Sequence, residues 1–245
     1  TGFANALSTF FDSWQDLSLS PESSAARGVV IETSNALINN IKQINNHLKT
    51  IRDDLSSSIE LKVQEVNTLA EQISDLNIQI TSLTAQNNMP SDLMDRRDLL
   101  MDQLAKITNF SYTENKNGSV NIMVGGRSLV HENTTYKLTV QPGSSDGSWT
   151  LSPNVVWEKD GTTAQITNGE IYGYMQTRDV DLRSYMEDFE SMAWAVVSTV
   201  NDVHQTGLDL DGGLGEEFFT GNHLDTLAVN ENIRNAPEKI AASTP

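Results

Sequence analysis

The chain has no cysteine, and several further absences narrow what it can do. Without cysteine it forms no disulfide, no thiolate metal site and no cysteine nucleophile. No apolar run reaches the roughly 18 residues that a membrane-spanning helix needs. The loops that bind nucleotide phosphates or dinucleotides are missing, and so is the turn that carries the nucleophile of serine hydrolases. The sequence therefore predicts no enzyme, no cofactor and no membrane partner.

Positive charge is also scarce, with 16 Lys and Arg against 33 Asp and Glu and a net charge of −17. Such a surface repels phosphate backbones, and no cluster of basic residues offsets it, which excludes nucleic acid as a partner. The first residues, Thr1-Gly2-Phe3, lack the basic and apolar regions of a cleaved signal peptide. The charge thus excludes nucleic acid as a partner, and the sequence does not determine the cellular compartment.

The run from Val29 to Met89 contains neither glycine nor proline and is the longest helical signal in the sequence. Its apolar residues alternate at spacings of four and three, with a slip of one position near Ile59 and Val63. They are Leu37, Ile41, Ile44, Leu48, Ile51, Leu55, Val66, Leu69, Ile73, Leu76, Ile80 and Leu83. This spacing predicts a coiled-coil-like seam. About 60 helical residues would extend for roughly 90 Å, so we expect the rest of the chain to fold back along this helix.

Four shorter stretches have the same helical periodicity. They are 3–17, 92–107, 169–177 and 182–206. Start signals for the long helix stand at 20–22, stop signals stand at 87–90, and Gly207 is placed to end the last helix. Because the chain reverses over so few residues at 87–90, we expect an antiparallel helical hairpin there.

From Phe110 the apolar period changes to two, which is typical of strands. Turn signals stand at Asn117-Gly118, at Gly125-Gly126 and at 142–147. The predicted strands are 110–112, 120–124, 128–130, 136–140, 149–151, 155–157 and 164–166. A β unit of about 55 residues buries little core of its own, so we expect it to pack on the helices.

Together these signals predict a mainly α fold with a small β subdomain (α+β), built as an elongated antiparallel helical bundle around one long coiled-coil-like helix. The expected domains follow the changes of period. They are 1–109, the first part of a helical rod domain; 110–168, the small antiparallel β subdomain; 169–207, the second part of the rod; and 208–245, a loop and a loose C-terminal tail. Because the shorter helices together nearly match the rod in length, they would cover its seam, and the isolated chain is predicted to be a monomer.

The acidic, glycine-rich segment 209–217 is the strongest candidate for a metal site. It fails as an EF-hand loop because Gly213 stands at the fifth position and Thr220 at the twelfth, where a Glu is needed. It is closer to one calcium-binding nonapeptide, with Glu217 in place of Asp, but such sites need stacked repeats and the chain has one copy. The favoured interpretation is a solvated loop between helices, and weak calcium binding stays the alternative.

Two other sets of potential metal ligands are weaker candidates. The histidines lie on four different segments without metal-binding spacing, and they are His47, His131, His204 and His223. On the helices, His47 and His204 are expected at the surface or at the edge of a seam. Asp92, Asp95 and Asp98 share one helix face with Arg96 and Arg97 between them, which favours a solvated face or a set of ion pairs over a metal site. We therefore expect no catalytic, cofactor-binding or metal-binding residues.

The aromatic residues Phe10, Phe11 and Trp14 are a candidate protein-docking patch. The favoured alternative is that they fasten the first helix onto the long one. Both roles are packing rather than chemistry, so the sequence indicates assembly.

Taken in order, the segments resemble the flagellar hook-associated protein 1 family, which joins the bacterial hook to the filament. The residues that carry the resemblance are 10–18, Pro21, 25–27, 66–69, 76–77, Asp92, Leu93, Asp95, 97–100, 117–122, 128–130, Gly173, Arg178, Asp179, 200–204, Gly207, 209–212, Gly215, Phe218 and Phe219. No single motif is decisive, but the ordered set is specific. Two positions depart from the pattern, Arg96 where glutamine is usual and Gly28 where a polar helix former is common.

The resemblance implies a ring-forming axial adaptor of the bacterial flagellum, secreted through type III export and located outside the cell. The chain would be its central part, without the helical segments that such proteins carry at both termini. Implied partners are identical subunits in the ring, the hook protein and the next hook–filament junction protein, with an export chaperone bound through the missing C-terminal segment. The alternative is an extracytoplasmic helical sensor or ligand-binding domain, which would need transmembrane flanks.

Overall fold

The computed structural model describes residues 2–141, 143 and 154–243. The helices are α1 (Phe3–Leu19), α2 (Ser24–Thr84), α3 (Ser91–Ile107), α4 (Glu170–Gln176), α5 (Leu182–His204) and α6 (Glu231–Asn235), with a π-helical turn at Thr177–Asp181 and a 3₁₀ turn at Pro237–Lys239. The strands are β1 (Ser111–Glu114), β2 (Val120–Val124), β3 (Arg127–His131), β4 (Thr134–Thr135), β5 (Leu138–Gln141), β6 (Asn154–Trp157), β7 (Phe219–Thr220) and β8 (Ala228–Val229). The predicted class, mainly α with a small β region, is confirmed. The predicted strand 149–151 and all of the turn 142–147 except Gly143 lie outside the described residues.

The predicted long helix is present as α2, one continuous α-helix of 61 residues. Ser23 caps it, because its Oγ accepts a hydrogen bond from Ala26 N at 3.2 Å, so the start predicted at 20–22 is slightly too early. The apolar residues that α2 buries are Val30, Ile31, Leu37, Ile38, Ile41, Ile59, Val63, Val66, Leu69, Ala70, Ile73, Leu76 and Ile80. Seven of the twelve predicted seam residues are among them, whereas Ile44, Leu48, Ile51, Leu55 and Leu83 are only half-buried. No helix among the described residues is long and apolar enough to cross a membrane.

The chain divides into two compact units, each with its own hydrophobic core. The first unit is Thr1–Thr50 with Ser184–Pro245, and its core joins α1, α2, α5 and the tail. The second unit is Ile51–Arg183, and its core joins α2, α3, α4 and the strands β2, β3, β5 and β6. The domain boundaries expected from the sequence follow secondary-structure type instead and stay a prediction.

Helix α1 buries Phe10, Ser13 and Leu17 in the core of the first unit. Ser13 Oγ lies 2.8 Å from Thr33 Oγ1 of α2, so a hydrogen bond joins the two helices beside the apolar contacts. Phe10 is fully buried, whereas Phe11 is 50 % exposed. The adjacent rings therefore divide the two roles considered for them, since one fastens α1 and the other faces outward.

The strands β1 to β4 form an antiparallel sheet in sequence order, and β5 pairs with β6. Gly125 and Gly126 have φ values of +56° and +80°, so they form the predicted two-residue turn between β2 and β3. The first hairpin is wider than predicted. Asn115 N donates to Ser119 O at 2.8 Å, which encloses a three-residue loop ending at Gly118.

The segment 164–166, predicted as a strand, is not one. Only one bridge forms beside β6 here, between Val156 and Thr163, and Ala164 N donates to Val155 O at 2.9 Å. Ala164 and Ile166 are nevertheless buried in the core of the second unit. The apolar alternation therefore reflects burial without continued strand pairing.

Asn77 of α2 binds the backbone of the β region at three points. Its Nδ2 donates to Val120 O at 2.8 Å and to Glu132 O at 2.7 Å, and its Oδ1 accepts from Val120 N at 3.0 Å. Asn77 is 1 % exposed. A buried amide at the helix seam thus satisfies backbone groups that strand pairing leaves free.

Two more asparagines on helices make a similar contact, in which the side-chain amide both donates to and accepts from the backbone of one strand residue. Asn67 of α2 donates to Leu138 O at 2.8 Å and accepts from Leu138 N at 2.9 Å. Asn201 of α5 donates to Phe219 O at 2.9 Å and accepts from Phe219 N at 2.8 Å. Each amide bonds one strand residue as a neighbouring strand would, and we call Asn67, Asn77 and Asn201 the asparagine clamps.

The helical stretches predicted at 169–177 and from Leu182 are joined without a break. A π-helical turn, Thr177–Asp181, connects α4 to α5. Arg178 is buried in this turn, and its Nε donates to Asp179 Oδ1 at 2.7 Å. The two helical stretches are thus one continuous helical segment, with a single wider turn between them.

The segment 208–243 is not the loose tail that the sequence suggested. Its buried apolar residues join the core of the first unit, and they are Phe218, Phe219, Leu224, Leu227, Val229, Ile233 and Ile240. The aromatic ring of Phe219 lies 5.8 Å from that of Phe10, centroid to centroid. Short apolar pairs without helical period gave no sign of this burial.

Candidate functional site

The described residues contain no group of three or more His, Asp or Glu side chains placed to hold a metal ion. His47, His131 and His223 are exposed on separate elements. His204, expected at the surface or at the edge of a seam, is instead buried, with 3 % of it exposed. The structure therefore brings none of the four histidines together.

The acidic segment 209–217 is closed by one of its own carboxylates. Asp209 Oδ1 accepts from Gly213 N at 2.7 Å and from Asp211 N at 2.9 Å. Lys239 Nζ donates to Asp209 Oδ2 at 3.1 Å and to Asp211 Oδ2 at 2.9 Å. The hydrogen bond from Gly213 N, together with Lys239, lowers the pKa of Asp209. Its oxygens already have protein donors, and Asp209 is buried, so this end of the loop is less solvated than expected.

Arg27 of α2 joins the start of the long helix to the end of the chain. Its Nη1 donates to Ile240 O at 2.6 Å and to Pro237 O at 3.1 Å, and its Nε donates to Pro21 O at 2.8 Å. Arg27 is 1 % exposed, and this burial lowers its pKa, against the opposing charges of Asp209 and Glu238. Backbone carbonyls, rather than a ligand, use its donors.

The row of Asp92, Asp95 and Asp98 is exposed on α3, as expected of a solvated face. Arg97 between them turns inward and is 3 % exposed. Its Nη1 donates to Gly118 O at 2.6 Å, so it holds the β1–β2 loop, while Asp98 lies 3.6 Å from its Nε. The row is thus split between solvent and an ion pair.

A cavity beside β6 is lined by Arg127, Lys137 and Lys159, and acids pair with the first two of these cations. Arg127 lies over the Trp157 ring at 4.9 Å and donates to Asp160 Oδ2 at 2.9 Å. This hydrogen bond lowers the pKa of Asp160. Lys137 Nζ lies 2.9 Å from Glu71 Oε1. Because Asp160 and Glu71 pair with Arg127 and Lys137, these two cations have less capacity for an anionic ligand.

His204, at the end of α5, uses both ring nitrogens. Ala241 N donates to Nε2 at 2.9 Å, and Nδ1 lies 2.6 Å from Glu216 O. Since a carbonyl only accepts, the proton is on Nδ1 and the lone pair is on Nε2. The ring also contacts those of Trp14 and Phe218, with centroids 6.1 and 5.4 Å apart. His204 is therefore a neutral, fully bonded core residue.

An apolar groove of about 390 Å³ lies between α1 and α5 beside this histidine. Its apolar lining is Phe11, Trp14, Leu17, Val200, Val203, Ala241 and Ala242. Phe11 and Val203 are 50 % and 68 % exposed. Over 3–19 and 184–204 both helices carry acids and neither Lys nor Arg. An exposed apolar surface with an acidic border is suited to contact with another protein, and we call it the α1–α5 groove.

Sequence reasoning missed the clamps, Arg27 and the buried state of His204. A signal existed for Asn77, which stands four residues after Ile73 and three before Ile80, at a seam position. A polar residue in such a position needs a partner, since its amide would otherwise be buried unbonded. For Arg27 and His204 no such signal exists, because their partners are backbone atoms far along the chain.

Comparison with known proteins gives consistent matches. The family model of the flagellar hook-associated protein FlgK helical domain matches residues 1–219. Flagellar hook-associated protein 1 of Escherichia coli K12 is 30 % identical over 254 residues, covering 100 % of this chain and 45 % of that protein. The Bacillus subtilis 168 protein of the same name is 25 % identical, covering 89 % of this chain and 48 % of its own.

Among solved structures, the flagellar hook junction protein FlgK from Burkholderia pseudomallei has the same fold, with a TM-score of 0.82 at 23 % identity. The match covers 91 % of this chain and 41 % of that one. The chain thus spans about half the length of the curated relatives it matches.

Proposed function

The chain belongs to the family of the flagellar hook-associated protein FlgK, whose helical domain it matches over residues 1–219, and we propose from this that it is part of a structural adaptor between hook and filament. The family match is the single observation that carries the proposal. The family consists of structural components of the flagellum, and the fold suits that role. Buried polar groups such as Asn77, Arg27 and His204 bind the chain's own backbone, which supports a load-carrying body without a reactive centre.

The partners follow from the adaptor role. We propose identical subunits in a ring, the hook protein on one side and the next hook–filament junction protein on the other. An export chaperone would bind a C-terminal segment beyond this chain, and the protein would be secreted by the type III pathway to the outside of the cell. The chain by itself would be a monomer, because the predicted seam residues of α2 are buried or half-buried within the chain and its net charge is −17.

The absence of catalysis and of a bound cofactor or metal also belongs to this proposal. Its support is that the candidate residues bind one another: Asp209 holds its own loop, and Arg97 holds a hairpin. No specific observation supports the alternative of an extracytoplasmic sensor or ligand-binding domain, and the family match favours the adaptor.

A chimaera tests the proposal directly. Residues 1–245 would replace the matching segment of the Escherichia coli relative in a strain that lacks that protein, and filaments and swimming would be scored. The matched control carries the native Escherichia coli segment between the same junctions. We expect the chimaera to be exported and to restore filaments. Export into the medium, with hooks that stay bare, would contradict the adaptor role.

A further inference from the structure

His204 joins three segments of the first unit that are distant in sequence. It ends α5, accepts from Ala241 N at 2.9 Å, and lies 2.6 Å from Glu216 O. We propose that His204 is a pH-sensitive latch, which holds Ala241–Ser243 against α5 while neutral and releases this segment when protonated.

The geometry allows only one protonation state. In the neutral ring Nδ1–H donates to Glu216 O and the Nε2 lone pair accepts from Ala241 N–H. Protonation places a second N–H on Nε2, directly opposite the N–H of Ala241. Two donors cannot share that contact, so the bond to Ala241 is lost, whereas the bond to Glu216 is kept.

The surroundings offer the charged ring little compensation. His204 faces Trp14 from α1, Phe218 from the following loop, and the backbone of Ala241 from the tail. Glu216 is the acid whose charge acts on it. That carboxylate is directed elsewhere, since Oε2 accepts from Asn232 Nδ2 at 2.9 Å and from Asn230 Nδ2 at 3.3 Å.

Burial lowers the pKa of His204, and the bond to Glu216 with its charge only partly opposes this. A histidine with a lowered pKa in the latched state binds its proton more readily when unlatched. The latch is therefore intact above the ordinary histidine pKa of about 6.5, and it weakens as pH falls below that value. Asp209 and Asp225, whose pKa values are lowered, stay ionised throughout this window.

Release of the segment would alter the α1–α5 groove, because Ala241, Ala242 and Ser243 form one of its walls. Besides the latch, this wall is held by Leu208: its N donates to Ser243 O at 2.8 Å, and its O accepts from Ala242 N at 3.1 Å. Gly207 and Gly215 allow the close approach, since a Cβ on Gly215 would lie 2.8 Å from Ala241 Cβ. The groove would thus be complete at neutral pH and open on one side in acid. This inference does not depend on the proposed function.

Hydrogen exchange of the Ala241 amide tests the latch. The exchange rate is measured by NMR on the whole chain and corrected for the intrinsic rate of the amide. The equilibrium constant for opening should then rise about tenfold between pH 7.5 and 5.5, because the histidine of the released state binds a proton with the ordinary pKa of about 6.5. His204→Gln keeps an acceptor near the Nε2 position and does not titrate, so its profile should be flat. His223→Gln, at an exposed histidine of the same unit, should keep the tenfold rise.

The nitrogen shifts of the His204 ring give an independent reading that needs no variant. They should show the proton on Nδ1 at pH 7.5 and a pKa below about 6.5. A proton on Nε2 at pH 7.5 would overturn the proposal. So would a protection of Ala241 that changes less than twofold across the range, or an equal rise in the His204→Gln variant.

Discussion

Replacing Asn77 by alanine tests whether the asparagine clamps carry stability. The substitution removes hydrogen bonds to Val120 N, Val120 O and Glu132 O, at 3.0, 2.8 and 2.7 Å. Val120 is 1 % exposed, so its backbone groups would lose their partner without gaining full access to water. At about 1 kcal/mol for each bond, with more for groups left buried and unbonded, the expected loss is about 3 kcal/mol.

Two further substitutions on α2 serve as comparisons for the loss of stability expected of Asn77→Ala. Asn67→Ala removes two bonds to Leu138 and should cost less than Asn77→Ala. Gln79→Ala removes an exposed side chain whose Nε2 bonds only to Asp75 O of its own helix, at 3.4 Å, and should change stability by under about 0.5 kcal/mol.

Urea unfolding measures the loss, and hydrogen exchange of peptides spanning β2 and β3 assigns it to the second unit. The free energy of unfolding falls by about 1–3 kcal/mol for each molar of urea, so the urea midpoint of Asn77→Ala should fall by roughly 1–3 M. The central expectation is that the loss of stability decreases in the order Asn77→Ala, Asn67→Ala, Gln79→Ala. A cost for Asn77→Ala equal to that of Gln79→Ala would refute the reasoning, because it would mean that water replaces the clamp without penalty.

Three further predictions concern other parts of the chain. Gly28→Ala meets open space within α2 and should raise stability by about 0.5–1 kcal/mol in thermal unfolding, whereas Gly215→Ala would bring a Cβ to 2.1 Å from His204 O and should lower it by at least about 1–3 kcal/mol; equal effects would contradict the packing described around His204. Trp14→Ala removes ring contacts with Phe10 and Phe218, at 6.2 and 5.2 Å, and should cost about 3–5 kcal/mol; a loss under about 1 kcal/mol would show that Trp14 serves docking rather than packing. Calorimetric titration with calcium should show no saturable binding tighter than about 10 µM, because the oxygens of Asp209 have protein donors; tighter binding would show that Lys239 yields to the ion.

The long helix was predictable because its signal is local and repeated. A run without glycine or proline and with apolar residues at spacings of four and three specifies the helix, as α2 shows. The same spacing gives the buried face at Leu37 and Ile41 and again over 66–80, but the predicted seam residues between Ile44 and Leu55 are only half-buried. The Gly125-Gly126 turn was predictable for a similar reason, since adjacent glycines allow the two positive φ values that it needs.

Features that depend on contacts far along the chain were not predictable. The burial of 218–240 arises from contacts with α1 and α5, and short apolar pairs do not announce it. At the candidate site, the acidic loop was identified but its closure by Asp209 was not, because Lys239 lies 30 residues away. The tautomer of His204 likewise depends on two backbone atoms, which have no signature in the sequence.

The asparagine clamps also have a consequence for copies of the chain held at high local concentration. Free strand edges recruit strands from other molecules, which leads to aggregation. Asn67 occupies the N–H and C=O of Leu138 in β5, and Asn201 occupies those of Phe219 in β7, so a foreign strand finds these positions already bonded. A side chain that protects an edge without adding a strand lets many copies be crowded together while their sheets stay separate.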